Sequence, residues 1–357
     1  MLRRTFLQAT SGAALAAAAT GPGEGIRLGF DTFSIRDFHW KDIQYLDYAA
    51  SQKLDTVQLS SLEDYQSLDP AHLAKVKEHA AALGIIIDAG IGCICDVSKS
   101  WEAKEGTPTA YLRKGLAVAK AVGAHAMRCN MGSRADRPDL ERCMEATVKA
   151  LRSVRNEALD SGVKIAIENH AGDMQAREVK MLIEEAGKDF VGSCFDSGNP
   201  VWTIEDPLLT LETLGPYVVT THIRDSAVFE HPRGAATQWV ALGDGSVDLR
   251  RLVELYQKLC PHASMQLEII TGIPPEIVPY LEPEFWTDYK TTPAWEFARF
   301  VALAKSGHPY IGPMVIGGWG KQPPALAAAM KEQQRADLER SFEYAKKVLG
   351  VGVRWKS

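Results

Sequence analysis

The sequence predicts a single-domain α/β protein folded as a (β/α)8 barrel, and three observations carry that expectation. Short apolar or β-branched runs alternate with amphipathic stretches from Ile26 to Leu349, an order that demands a parallel sheet. The runs number eight, the count at which a parallel sheet closes on itself. No Gly-x-Gly-x-x-Gly follows the first run, which weighs against an open, doubly wound sheet.

Taken in order, candidate strands cover residues 26–33, 56–60, 85–90, 124–130, 164–169, 191–196, 218–225 and 265–270. The helical patterns that follow them cover 41–52, 70–83, 108–122, 139–161, 176–186, 207–214, 249–259 and 324–349. Gly84, Gly123, Gly162 and Gly187 each stand between a helical pattern and the next strand, where a left-handed residue stops a helix. Two segments exceed this plan: 226–247, with Gly243-Asp244-Gly245, and 271–323, with Trp286, Trp295 and Trp319. They follow the seventh and eighth strands, where long loops border the catalytic mouth of such a barrel, and they read as lids or as contacts in a homo-oligomer.

The formal charge is −5, and it becomes −7 without Arg3 and Arg4, so the chain offers no basic footprint for nucleic acid. Leu2-Arg3-Arg4-Thr5-Phe6-Leu7-Gln8, then an Ala-rich run to Ala19, then Gly21-Pro22-Gly23, reads as a twin-arginine export signal and linker over 1–24, with the barrel over 25–357. The expected location is the periplasm or beyond. The apolar run is well short of the roughly 20 residues a bilayer requires, so no stable membrane span is expected. Of the six cysteines, four lie inside apolar runs, and all are read as buried thiols acting as small hydrophobes. Cys93-x-Cys95 has the wrong spacing for a zinc ribbon.

Glu168, Asp196, His222 and Glu268 sit at or near the carboxyl ends of the fifth to eighth candidate strands, and in a barrel those ends converge. Each lies in an apolar run, such as Ile165-Ala166-Ile167-Glu168 or Met265-Gln266-Leu267-Glu268. A carboxylate left unpaired among such neighbours is costly, and a shared cation removes the cost. Three carboxylates and one imidazole suit a single Mn²⁺ first, with Mg²⁺, Co²⁺ or Zn²⁺ compatible with the ligand types. Positions left open on the ion would let a sugar chelate through a carbonyl and its neighbouring hydroxyl. Asp31, Gln58, Asp88 and Asn130, at the ends of the early strands, are expected to line the pocket. His170, Asn199, Arg224 and Asp225 are expected on the substrate side.

Ile167-Glu168-Asn169-His170, Phe195-Asp196-Ser197-Gly198-Asn199, Thr221-His222-Ile223-Arg224-Asp225, Gly243-Asp244-Gly245 and Leu267-Glu268 resemble the motifs of the xylose isomerase-like TIM-barrel superfamily, in its sugar phosphate isomerase/epimerase group. The resemblance spans residues 26–349. It implies metal binding by Glu168, Asp196, His222 and Glu268, and in the manner of the group's epimerases it implies proton transfer by Glu168 and Glu268 on opposite faces of the sugar. Two positions depart from the ketose 3-epimerases: Asn199 stands where they carry histidine, and Val228 where they carry arginine.

The function expected from these residues is divalent-metal-dependent isomerisation or epimerisation of a sugar, by proton abstraction beside a carbonyl through an enediolate. A lyase acting on 3-keto-glycosides by β-elimination needs the same metal and base, and export fits it, since glycosides are plentiful outside the cytoplasm. A carbohydrate-binding barrel without turnover is the non-catalytic reading. An endonuclease IV-like repair enzyme is opposed by Gln58-Leu59-Ser60 and Asp88-Ala89-Gly90, which lack its early-strand histidines, and by Asn199.

Overall fold

A computed structural model describes residues 22–356; the export signal expected over 1–24 falls almost wholly on residues 1–21, outside the described residues. From the N-terminus, β1 (Leu28–Asp31), α1 (Asp42–Ser51), β2 (Thr56–Leu59), α2 (Pro70–Leu83), β3 (Ile86–Cys93), α3 (Pro108–Val122) and β4 (Ala126–Asn130) build the first half. The second half runs α4 (Leu140–Arg152), α5 (Arg155–Ser161), β5 (Lys164–Glu168), α6 (Ala176–Ala186), β6 (Val191–Asp196), α7 (Pro207–Leu214) and β7 (Val218–His222). The strands β8 (Asp225–His231) and β9 (Gly234–Val240) leave the barrel as an antiparallel hairpin, and after α8 (Leu249–Leu259) the strand β10 (Met265–Leu267) rejoins it. β11 (Glu276–Val278) then pairs with β9, and α9 (Ala294–Ser306) and α10 (Pro324–Lys347) complete the chain.

The eight barrel strands are parallel, in the order β10-β1-β2-β3-β4-β5-β6-β7. The seam between β7 and β10 is joined where Ile223 N donates to Gln266 O at 2.7 Å and Glu268 N donates to Ile223 O at 3.0 Å. This is a TIM barrel. Its lumen is polar below the mouth. Thr220 on β7 donates to Asp88 on β3 at 2.7 Å, and Gln266 on β10 donates to the same carboxylate at 3.2 Å. These bonds link strands that are not neighbours, so they cross the barrel axis. Asp88 therefore lies deeper than the pocket wall where the sequence reading had placed it.

Helix ends follow the sequence closely where glycine takes positive φ. Gly84, Gly123 and Gly162 stop their helices at φ 66°, 78° and 71°. Gly187 differs, with φ 131° and ψ 103°, and α6 ends on a single bond from its N–H to Ile183 O. The expected helix over 139–161 breaks into α4 and α5 at Ser153-Val154, where the Ser153 hydroxyl donates back to Ala150 O at 2.6 Å. All six thiols are buried and free.

The long segments are ordered rather than open loops. Residues 226–247 hold most of the hairpin, and 271–323 holds β11 and α9. Val201, Ile204, Val228, Ala235, Val278, Tyr289, Phe300 and Ala304 bury together beneath them as a second core. The seventh strand was expected to continue to Asp225 but stops at His222, because Asp225 already pairs with Val240 in the hairpin.

Away from the mouth, Glu205 is a buried carboxylate whose Oε2 accepts from Ala176 N at 3.0 Å and from Thr210 Oγ1 at 2.8 Å, at the start of α6. Burial, opposed by those two bonds, pushes its pKa up to about 7. A carboxyl group with a raised folded pKa contributes stability below its unfolded pKa and loses it as pH rises through the folded value. Relative to Glu205→Gln, which keeps both acceptor bonds, the wild-type protein should lose up to about 3 kcal/mol of unfolding free energy between pH 4.5 and 7. Parallel urea-unfolding curves for the two proteins across that range would disprove this.

Candidate metal centre

The ends of β5, β6 and β7 and the residue after β10 bring Glu168, Asp196, His222 and Glu268 together. One donor atom from each lies within 4.8 Å of the other three, and all four residues are buried. His222 Nδ1 is 3.3 Å from Glu168 Oε1 and 3.5 Å from Glu268 Oε2, and it is buried without a hydrogen-bond partner. The other ring nitrogen, Nε2, contacts the Gln58 amide and lies 3.4 Å from Asp31 Oδ2, which orients the imidazole with Nδ1 toward the carboxylates.

Two buried arginines hold the carboxylates in place. Arg128 Nε on β4 donates to Glu168 Oε2 at 2.5 Å, and its Nη1 donates to Ile91 O at 3.1 Å. Arg224 Nη2 contacts both Asp196 Oδ2 and Glu268 Oε2. Asp196 Oδ1 accepts from Gly198 N at 2.6 Å and Asn199 N at 2.8 Å. Burial opposes ionisation of Glu168, but the charges of Arg128 and His222 outweigh it and hold the carboxyl well below its usual range. Burial also opposes the charged form of His222, and Glu268, Glu168 and Asp31 together raise it well above an ordinary imidazole. At Asp196 burial wins over Arg224, and the pKa rises to about 7.

This donor set fits a divalent ion. Bonds of about 2.0–2.6 Å allow two ligand atoms on one ion to stand up to about 5 Å apart, so the observed spread is compatible with a single centre. The unpartnered Nδ1 of His222 supplies a nitrogen donor aimed at the oxygens. Cys194 also lies near Glu168 and His222, and burial raises its thiol well above the ordinary value.

The expected substrate-side residues divide into two groups. His170 Nδ1 donates to Gly132 O at 2.6 Å, which leaves Nε2 as an acceptor; burial keeps the ring neutral by lowering its pKa. Asn199 Nδ2 donates to Asn169 O at 2.9 Å and to Glu168 Oε1 at 3.3 Å, while its Oδ1 and that of Asn130 are buried without partners. Arg224, by contrast, ties two metal-site carboxylates together. Asp225 is engaged by the turn after β9: Oδ2 accepts from Gly243 N and Gly245 N at 3.0 Å, and Oδ1 from Ser226 N at 2.8 Å and Val247 N at 3.3 Å. It shapes the wall and has no free oxygen for a sugar.

Sequence reasoning missed Arg128, although an arginine within Met127-Arg128-Cys129 on a barrel strand already calls for a buried acidic partner. It also missed a stack at the mouth. The Arg224 guanidinium lies 4.5 Å from the Trp239 ring centre, Trp239 stacks on Trp202 at 4.3 Å and 3°, and Arg134 lies 5.0 Å beyond Trp202. The Trp239 indole donates to Gly198 O at 3.0 Å, which ties the hairpin to the loop after β6.

Residues 46–269, more than half of the chain, match the family described as xylose isomerase-like TIM barrel. The chain belongs to that family. Among curated relatives of this barrel, 3-oxo-isoapionate decarboxylase of Pectobacterium atrosepticum is 24% identical over 182 residues, covering 51% of the chain and 60% of that protein. The chain thus spans less than two thirds of that relative's length. Of solved structures, a D-psicose 3-epimerase crystallised with D-fructose superposes with a TM-score of 0.57 at 17% identity, covering 91% of the chain and all of that structure. The 3-keto-D-glucoside 4-epimerase YcjR of E. coli superposes at 0.53 with 15% identity, covering 68% and 92%. These structural likenesses show the fold.

A ligand that binds only the folded state at 100 times its Kd adds about 2.7 kcal/mol to the unfolding free energy. Mn²⁺ should therefore raise the unfolding temperature of the metal-stripped barrel, and the rise should disappear in His222→Asn and in Asp196→Ala. Equal shifts in all three proteins by differential scanning fluorimetry would move the metal elsewhere.

Proposed function

We propose that this barrel is a divalent-metal-dependent sugar isomerase or epimerase that moves a proton at the carbon beside a carbonyl. One observation carries the reading: two glutamates, an aspartate and a histidine, all buried, aim donor atoms at one point on the catalytic face of the barrel. A bound divalent ion, Mn²⁺ by preference, would polarise the sugar carbonyl and offset the charge that develops on its oxygen.

The chain's own residues do the rest. Arg128 keeps Glu168 ionised, so Glu168 stands ready to accept a proton, and Glu268 faces it across His222 to act on the other side of the sugar. Asn130 Oδ1 and Asn199 Oδ1, buried and unpartnered, and the free Nε2 of His170 are acceptors suited to sugar hydroxyls. Trp239, Ile270 and Ile273, packed with Phe33 and Trp202, form an apolar wall that excludes water from the reacting carbon. A homo-oligomer remains compatible with this reading. Export by the twin-arginine route, proposed from the first residues of the sequence, would place the reaction outside the cytoplasm on unphosphorylated sugars.

A lyase is the second reading, supported by the relative that decarboxylates a keto sugar acid. Loss of a proton or of carbon dioxide beside a carbonyl leaves the same carbanion, and β-elimination from a 3-keto-glycoside begins with the same proton abstraction. Deuterium exchange separates these readings from a barrel that only binds. In deuterated water the Mn²⁺-loaded protein should label the carbon beside the carbonyl of its keto sugar, and Glu268→Gln should lower that rate at least about 100-fold while still binding metal. No label with any keto sugar would refute the proton-transfer role, and full exchange in the variant would refute that of Glu268.

A further inference from the structure

The charge of the substrate follows from one arginine that the metal centre does not use, on the premise that the site is a sugar enzyme as proposed above. Four carboxylates lie around His222: Asp31, Glu168, Asp196 and Glu268. A divalent ion together with Arg128 and Arg224 would balance them. Arg36 is left over. It lies in the turn Thr32–Phe38 directly after β1, on the same face as the four donors.

Arg36 is held but not neutralised. Its Nη1 donates to Phe33 O at 3.3 Å, and the rings of Phe33 and Trp319, with centres 6.5 Å apart, lie beside the guanidinium at 4.7 Å and 5.5 Å. No carboxylate among the described residues reaches ion-pair distance; Asp37 and Glu268 act on it only through their field. Burial lowers its pKa, as expected of a cation with too little compensation. A cleft of about 490 Å³, lined by Thr32, Phe33, Arg36, Lys41, Ser60 and Asp64 among others, opens beside it. Asp37, His39 and Glu63 also line it: Lys41 donates to Glu63 O at 2.6 Å, Glu63 pairs with Lys104 at 3.1 Å, and Asp64 accepts from Thr32 at 2.6 Å.

We propose that Arg36 recognises an anionic group on the substrate, and that this group is the carboxylate of a sugar acid. No carboxylate pairs with the guanidinium among the described residues, and its planar fork of donors is the shape that pairs with a carboxylate. A phosphate ordinarily draws several donors, and the one other lysine or arginine lining the cleft, Lys41, already donates to the Glu63 carbonyl.

The test compares three sugars that differ only at one end: D-fructose, D-fructuronate and D-fructose 6-phosphate, titrated calorimetrically into the Mn²⁺-loaded protein. The uronate should bind at least about tenfold more tightly than fructose, the worth of one charge-assisted pair. Arg36→Met should erase that preference without changing Mn²⁺ affinity measured by paramagnetic resonance, and Arg36→Lys should restore part of it. No preference in the wild-type protein, or a preference that survives in Arg36→Met, overturns the role of Arg36. A stronger preference for the phosphate overturns the carboxylate. Failure of all three sugars to bind a protein that holds Mn²⁺ normally defeats the sugar reading itself, a result distinct from loss of the Arg36 effect alone.

Discussion

Three carboxylates driven into one buried point repel one another, and the catalytic end of this barrel is organised around relieving that repulsion. Like charges a few ångströms apart in a low-dielectric interior cannot all persist without cations beside them. Arg128 answers Glu168, Arg224 bridges Asp196 and Glu268, and His222 sits between the two glutamates. Burial raises Asp196 to about 7 against the opposing charge of Arg224. An added divalent ion would supply further positive charge, and its binding free energy would then act as folding free energy.

The fold's contribution is placement. Parallel strands send every carboxyl end to the same face, so residues about 25–45 positions apart in sequence become neighbours without any long-range design beyond barrel closure. The chain departs from the plain barrel where the site needs walls. The β8–β9 hairpin carries Trp239 to Arg224, and Asp225 gathers four main-chain N–H groups to fix the turn that ends the hairpin.

The sequence made the barrel and its four donors legible because both depend on local signals: apolar runs of strand length, glycine at helix ends, and an acidic residue closing an apolar run. The helices 70–83, 108–122, 176–186, 207–214 and 249–259 match their elements for that reason. The hairpin and α9 lie in the two segments read as lids or oligomer contacts, and what they pack on is a second core made only when distant segments meet, which Phe297, Phe300 and Ala304 face at helical spacing. Arg224 and Asp225 closely follow His222, but spacing alone could not say whether they face a sugar or a protein group. Their partners, Asp196, Glu268 and the Gly243–Gly245 turn, come from other elements.

The coplanar indoles of Trp202 and Trp239 have a spectroscopic consequence. Two such chromophores in contact share their excited states, and here one face of the pair carries the guanidinium that ties Asp196 to Glu268. Any event that shifts that guanidinium alters the electric field across the pair, so ultraviolet circular dichroism and emission would register occupancy of the centre without an added label.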